Sequence, residues 1–144
     1  MHRSAWTTFA VGFLLIITGC GEKPIEFGDV SGVVRVGGKA QAGLLVRFLP
    51  EPEKGKKELP INSTGKTDAQ GKYTLTHVMD GQEGPGAPIG WHRVIIEDAS
   101  RGPTPQGQTP PPPLVSSTYA SPASTPLKKE VKAGAQTIDL EATK

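Results

Sequence analysis

The fold of this chain is decided in residues 65–75, which read Gly-Lys-Thr-Asp-Ala-Gln-Gly-Lys-Tyr-Thr-Leu. An aspartate side chain can accept hydrogen bonds from backbone amides two residues further on, and glycine supplies the positive φ that tight turns need. We therefore predict a structural turn between Asp68 and Gly71, with a short strand on either side of it. Tyr73 and Leu75 alternate with polar residues, so both are expected to face the interior.

The chain on the N-terminal side of this turn also has the pattern of short strands. Residues 27–36 are rich in valine and predict a strand, in which Gly32 suggests a bulge. The Gly-Gly-Lys of residues 37–39 is typical of a hairpin turn. The alternating apolar residues of 44–49 then predict the returning strand of that hairpin.

The chain on the C-terminal side continues in the same manner. A glycine-rich loop over residues 81–90 precedes a strand at 91–97, which we expect to be buried on both faces because Val-Ile-Ile occupies its centre. Residues 127–131 and 137–140 predict two more strands, joined by a turn at 132–135.

Proline and glycine exclude a helical fold for most of the chain. All 14 prolines and 16 of the 18 glycines lie after Cys20, and in that part of the chain the longest stretch without either is residues 91–101. A helix of average length therefore has almost no place to form. We predict an all-β protein, an antiparallel β-sandwich of about seven strands. Residues 99–113 contain six prolines and predict a polyproline-II loop or spacer within it.

The N-terminus has the pattern of a secretory signal. His2 and Arg3 precede an uncharged apolar segment, residues 9–17, which is too short to span a bilayer. The quartet Ile17, Thr18, Gly19 and Cys20 resembles the lipobox of bacterial lipoproteins, in which the cysteine thiol is acylated. The alternatives are an ordinary signal peptide or an uncleaved anchor with an incidental cysteine. Cys20 is the single cysteine of the chain, whereas exported domains use cysteines in pairs, and this favours the lipoprotein.

This interpretation divides the chain into a removed signal (1–19), a lipidated tether (20–26) and a β-sandwich domain (27–144). The expected partner is a membrane, bound through palmitate-type chains on Cys20. Because no aspartate follows Cys20, the outer membrane is favoured over the inner one, with the domain on the periplasmic or cell-surface face. Removal of Arg3 leaves 15 basic and 14 acidic side chains, a balance that argues against binding to nucleic acid.

Several motifs in order resemble the carboxypeptidase regulatory-like domain, a transthyretin-like β-sandwich. They are a Gly-x-Val strand, the Gly-Gly-Lys turn, Val-x-Phe-x-Pro at 46–50 and Thr-Asp-x-x-Gly-x-Tyr-x-Leu at 67–75. Residues 119–127, followed by Val-Lys-x-Gly and Ile-Asp-Leu, resemble more narrowly a set of small bacterial lipoproteins built on this domain. Those proteins usually have Lys-Tyr and Thr-Ser-Gly-Leu there, so this chain departs mildly. The resemblance implies a seven-stranded sandwich without enzyme activity.

Reactive side chains do not form a recognisable catalytic set. Tyr73, His77, His92 and Tyr119 match in type the iron ligands of intradiol dioxygenases, but the two histidines are 15 residues apart instead of one apart on a strand. A transthyretin-like hydroxyisourate hydrolase is excluded because its C-terminal Tyr-Arg-Gly-Ser motif is missing. A calcium site at Asp68 would need Asp80 or Glu83 as well, and calcium requires six to eight oxygens. We expect no metal, no cofactor and no enzyme activity.

Two functions remain as hypotheses. The first is a structural, adhesion or scaffold role at the cell envelope. The second is a carbohydrate- or protein-binding module, for which Tyr73, Trp91 and Tyr119 would supply stacking faces.

Overall fold

The computed structural model describes residues 24–52, 61–102 and 105–144, and the predicted signal, lipobox and Cys20 lie outside these ranges. The described residues form twelve short strands and one turn of 3₁₀ helix, Ser117–Ala120, instead of about seven longer strands. In chain order the strands are β1 (Phe27–Val36), β2 (Lys39–Ala40), β3 (Leu44–Pro50), β4 (Ser63–Lys66), β5 (Lys72–Thr74), β6 (Thr76–Met79), β7 (Gln82–Pro85), β8 (Ala87–Pro88), β9 (Gly90–Asp98), β10 (Lys128–Val131), β11 (Gly134–Thr137) and β12 (Leu140–Ala142). No helix in the described ranges is long and apolar enough to cross a membrane.

These strands make two sheets, which confirms the predicted all-β, sandwich-like architecture. The second sheet is antiparallel throughout, in the order β10-β9-β3-β4-β6-β7. The first sheet is built around β1, which pairs antiparallel with β2, β5 and β8. It departs from the expected antiparallel arrangement because β11 and β12 pair parallel with β1.

Strand β1 is the central strand of the first sheet. Its alternate residues Val30, Val34 and Val36 are buried, as the period of two in a half-buried strand requires. Gly32 does not form the expected bulge, since it pairs in unbroken register with Tyr73 of β5.

Strand β9 lies in the interior of the second sheet, between β3 and the edge strand β10. Its pairing with β3 runs over seven residues, from Leu44↔Asp98 to Pro50↔His92. Val94, Ile95 and Ile96 are all buried. The prediction of burial on both faces is therefore confirmed at the centre of the strand, whereas on the outer face Trp91 is exposed and Arg93 and Glu97 are half-buried.

The predicted hairpin after β1 is wrong in its second strand. The returning strand is β2, only two residues long, whereas residues 44–50 form β3 in the opposite sheet. Gly43 has φ of 76°, a conformation that favours glycine and allows the chain to turn between the sheets. Crossing over lets Leu44, Val46 and Phe48 enter the core from the opposite layer.

The C-terminal strands also cross between the sheets. Strand β10 ends the second sheet at one edge, and β11 begins at Gly134, inside the predicted turn. The strand expected at 137–140 is interrupted at Ile138 and Asp139. There the Val33 amide donates to the Asp139 carboxylate at 2.9 Å instead of to a backbone carbonyl oxygen.

The region predicted as a glycine-rich loop, residues 81–90, contains strands. Asp80 (φ 53°) and Gly81 (φ 77°) form a tight turn, and Gln82–Pro85 folds back on β6 as β7. Two consecutive residues with positive φ are typical of the type I′ hairpin turn, for which Asp-Gly is a preferred pair.

The core fills the space between the two sheets. Its larger fully buried side chains come from both layers, the C-terminal strands included: Phe48, Leu44, Leu75, Ile96, Leu140, Val30, Val34, Val46, Val94 and Val131. The described part of the proline-rich segment 99–113 contains no strand.

Candidate functional site

Tyr73 is a core residue. Its side chain is 2% exposed, and its hydroxyl donates to the Ile138 carbonyl oxygen at 2.6 Å. Burial, with the nearby Asp139 carboxylate, raises the pKa of the phenol far above its ordinary value. Tyr73 therefore cannot serve as the stacking face that the sequence suggested.

The two histidines are also buried, and each has its own structural partners. The His77 ring stacks on Phe27 with ring centroids 3.8 Å apart, and its Nδ1 lies 3.3 Å from the Gly86 carbonyl oxygen. His92 packs against Phe48 at 5.7 Å, and its Nδ1 lies 3.0 Å from the Gly90 carbonyl oxygen. Because a carbonyl oxygen only accepts, Nδ1 is the donor in both of these contacts.

Tyr119 lies in the turn of 3₁₀ helix and is 8% exposed. Its ring is part of the core. The expectation that Tyr119 provides a stacking surface is therefore wrong, as it is for Tyr73. Burial of these rings follows from their size, since a small sandwich needs large apolar side chains to fill its interior. Across the ranges that the structure covers, no three His, Cys, Asp or Glu side chains are placed to hold a metal ion.

Asp68 and Gly71 form the turn that the sequence predicts. The Asp68 Oδ1 atom accepts from the amides of Gln70 and Lys72, both at 2.9 Å, and Gly71 has φ of 71°. The carboxylate is therefore engaged with the backbone of its own turn. This turn joins β4 of the second sheet to β5 of the first.

Trp91 differs from the other two aromatic candidates because it is 49% exposed. It lies on the outer face of β9, and the Lys128 Nζ sits 5.3 Å from the centre of its ring. That distance is within the range of a cation–π interaction. Of the three aromatic residues selected from the sequence, Trp91 alone offers a ring to an external ligand.

Charged side chains surround Trp91 in a connected cluster. Glu51 accepts from the Arg93 Nε at 2.7 Å and pairs also with the Lys128 ammonium. The bonds from Lys128 and Arg93 hold the pKa of Glu51 below its ordinary value. Arg93 also donates to the Pro122 carbonyl oxygen at 3.3 Å.

Sequence reasoning missed this cluster, although part of its signal was present. Trp91 and Arg93 alternate with buried residues along β9, which places both on one face. Lys128 and Glu51 join them only through the register of β10 and β3 with β9, and that register is not readable from spacing.

A second feature is an open groove of about 520 Å³ on the first sheet. It runs across β1 between β11 and the turn that joins β7 to β8, and its walls include Asp29, Ser31, Thr74 and Thr137. The groove therefore offers one carboxylate and several hydroxyl groups to a hydrogen-bonding ligand.

Comparison of this chain with known protein families, with curated proteins and with solved structures finds no match.

Proposed function

We propose that this protein is a non-catalytic, lipid-anchored β-sandwich with a structural, adhesion or scaffold role at a bacterial cell envelope. The observation that carries the proposal is the quartet Ile17-Thr18-Gly19-Cys20, placed at the end of an apolar segment and immediately ahead of the folded domain. Strand β1 begins at Phe27, so only residues 21–26 separate the acylated cysteine from the sandwich.

The state of the reactive side chains supports a role without catalysis. Tyr73, His77, His92 and Asp68 each bind or stack on groups of their own domain. Catalytic side chains must instead reach a substrate with a suitable proton affinity and geometry.

We further propose that the sandwich is of the transthyretin-like, carboxypeptidase regulatory-like type. Support comes from the order of the motifs, above all residues 67–75, whose aspartate, glycine and tyrosine each have a distinct structural task. On this proposal the domain is a display and binding platform on the periplasmic or cell-surface side, the outer membrane being the favoured location.

The alternative, a carbohydrate- or protein-binding module, keeps one supporting observation. Trp91 is exposed beside Arg93, Glu51 and Lys128, and an aromatic ring beside polar side chains suits a sugar or a protein loop. Since Tyr73 and Tyr119 are buried, this alternative depends on one ring.

The anchor is tested by metabolic labelling with radioactive palmitate of cells that express the wild-type protein, Cys20→Ala or Gly21→Ala. We expect label in the wild type and in Gly21→Ala, and none in Cys20→Ala, because Cys20 carries the single thiol of the chain. Mass spectrometry should find a mature wild-type chain that begins at residue 20. Equal labelling of Cys20→Ala and wild type would refute the anchor.

A further inference from the structure

The chain enters the sandwich at one defined end. The Glu26 carbonyl oxygen accepts from the Ile89 amide at 2.9 Å, and β1 starts at the next residue. We call this end of the sandwich the tether end. It contains the start of β1 and, by strand pairing, the start of β9, the end of β10 and the hairpin between β6 and β7.

Three exposed apolar side chains lie at the tether end. Met79 follows His77 by two residues on the same strand face, and the His77 ring stacks on Phe27, the first residue of β1. Val78 lies between them on the opposite face. Trp91 comes two residues after Ile89, whose amide binds Glu26.

These three residues are the large hydrophobic side chains that stay exposed in the described part of the chain. Their exposed fractions are 62% for Val78, 38% for Met79 and 49% for Trp91. Scattered exposed apolar residues need no explanation, but here all of them fall at the end that the chain enters.

The opposite end of the sandwich has a different character. It contains the Gly37-Gly38 turn, the Asp68 turn and the proline-rich segment that follows Asp98. Its exposed residues are glycine, proline, alanine and polar side chains. The ten residues of β1 span the distance between the two ends, about 30 Å.

We propose that the tether end rests on the lipid surface, with Val78, Met79 and Trp91 in the membrane interface. This inference rests on the lipid anchor proposed above. Residues 21–26 extend to about 20 Å at most, so an acylated Cys20 would hold the tether end close to the bilayer. Tryptophan is enriched at membrane–water interfaces, and Lys128 beside it can keep its ammonium among the headgroups.

The charges at the tether end limit the depth of this contact. Asp80 at the hairpin tip and Glu83 on β7 are acidic, whereas Arg93 and Lys128 are basic and share the single carboxylate of Glu51. The charges described at this end are therefore of both signs, and the apolar side chains supply the contact with the lipid interface.

Trp91 is a built-in reporter for this orientation, because Trp6 lies in the segment removed from the mature chain. The experiment uses the mature lipoprotein in vesicles of phosphatidylethanolamine and phosphatidylglycerol, with or without phosphatidylcholine brominated near the top of its acyl chains. Bromine quenches tryptophan fluorescence only at close contact. We expect the brominated lipid to lower Trp91 emission roughly twofold, as for a ring at the interface.

Two variants make the result specific. In Trp91→Phe combined with Gln108→Trp, the reporter lies in the proline-rich segment at the opposite end, and its emission should be unchanged by brominated lipid. In Val78→Ser combined with Met79→Ser, quenching of Trp91 should decrease while flotation with the vesicles persists.

The outcomes separate this inference from the anchor itself. Flotation with the vesicles but no quenching of Trp91 would overturn the orientation and leave the anchor standing. Equal quenching at Trp91 and at position 108 would also overturn it. Failure of the mature protein to float would overturn the anchor and the orientation together.

Discussion

Gly32 allows the ring of Tyr73 to cross the first strand. The two residues pair directly, and the Tyr73 hydroxyl reaches past β1 to the Ile138 carbonyl oxygen on the far side. A Cβ atom at Gly32 would lie 2.0 Å from that oxygen and 3.1 Å from Cε1 of the ring. A glycine that the sequence suggested as a bulge is therefore a packing requirement.

Replacement of this glycine should be costly. We expect Gly32→Ala to lower the free energy of unfolding by about 3 kcal/mol, because backbone and ring must both move to admit the methyl group. Gly102→Ala is the matched control, since a Cβ there meets nothing within 4 Å, and it should change stability by less than about 0.5 kcal/mol. Urea unfolding of both variants checks this, and equal stabilities would contradict the packing role.

His92 makes the stability of the domain depend on pH. Burial lowers the pKa of its imidazole, although the Gly90 carbonyl and the Glu51 charge act in the opposite direction. The native ring thus binds a proton less readily than the ring in the unfolded chain, whose ordinary pKa is 6.5. The native state is therefore favoured at higher pH and loses this advantage as pH falls below about 6.5.

We expect the free energy of unfolding to fall between pH 7 and pH 5 by up to about 1.4 kcal/mol per pH unit. His92→Leu should flatten the profile in this window, as measured by urea unfolding at each pH. If His92→Leu shows the same slope as the wild type, the pH dependence comes from another group and this prediction is wrong. Both proteins should lose further stability below about pH 4. The bonds of Glu51, Asp98 and Asp139 lower the pKa values of these carboxyls in the folded state, so the unfolded chain takes up protons first as the pH falls.

At the scale of elements, the proline-rich segment is closed at its base by one carboxylate. Asp98 accepts from the Ser100 amide at 3.0 Å and, through its other oxygen, from the Leu114 amide at 3.2 Å. Arg101 pairs with Asp98 at 3.7 Å and donates to the Pro111 carbonyl oxygen at 2.7 Å. These bonds bring the two ends of the segment together and hold the pKa of Asp98 low against the opposing effect of burial.

Removal of this carboxylate should open the segment without unfolding the sandwich. We expect trypsin to cleave after Arg101 at least about fivefold faster in Asp98→Ala than in the wild type. A segment that loses local stability opens more often, and an open segment is accessible to the protease. Glu97→Ala is the control, since Glu97 binds Arg47 on the sheet surface at 3.1 Å, away from the segment. Mass spectrometry of the fragments measures the rates, and equal cleavage in the two variants would contradict the role of Asp98.

The turn at 67–71 illustrates what an element's sequence can and cannot predict. Its conformation follows from local chemistry, because Asp68 binds amides of its own turn and Gly71 adopts positive φ. Its position between the two sheets does not follow from local chemistry. That depends on Thr67, whose amide and hydroxyl bind the Leu44 backbone, and on the pairing of β5 with β1.

At the scale of the whole molecule, the two ends of the sandwich differ in chemistry. Exposed apolar side chains lie where the chain enters, and the turns and the proline-rich segment lie at the opposite end. If the tether end faces lipid, the opposite end is the part that reaches a partner in solution, about 30 Å from the bilayer. One strand, β1, joins both ends and pairs with five others, and the buried side chains of both sheets form a single core.

Local chemistry in the sequence determined the all-β class, the Asp68 turn and the buried strand at 94–96, because turn residues and side-chain alternation act over a few residues. Tertiary structure alone decided that β3 leaves the hairpin and that β11 and β12 lie parallel to β1. It also buried Tyr73 and Tyr119, left Trp91 exposed, and gathered Glu51, Arg93 and Lys128 around it. The physical reason is register: alternation specifies which side of a strand is apolar, whereas the identity of the neighbouring strand depends on packing the complete core.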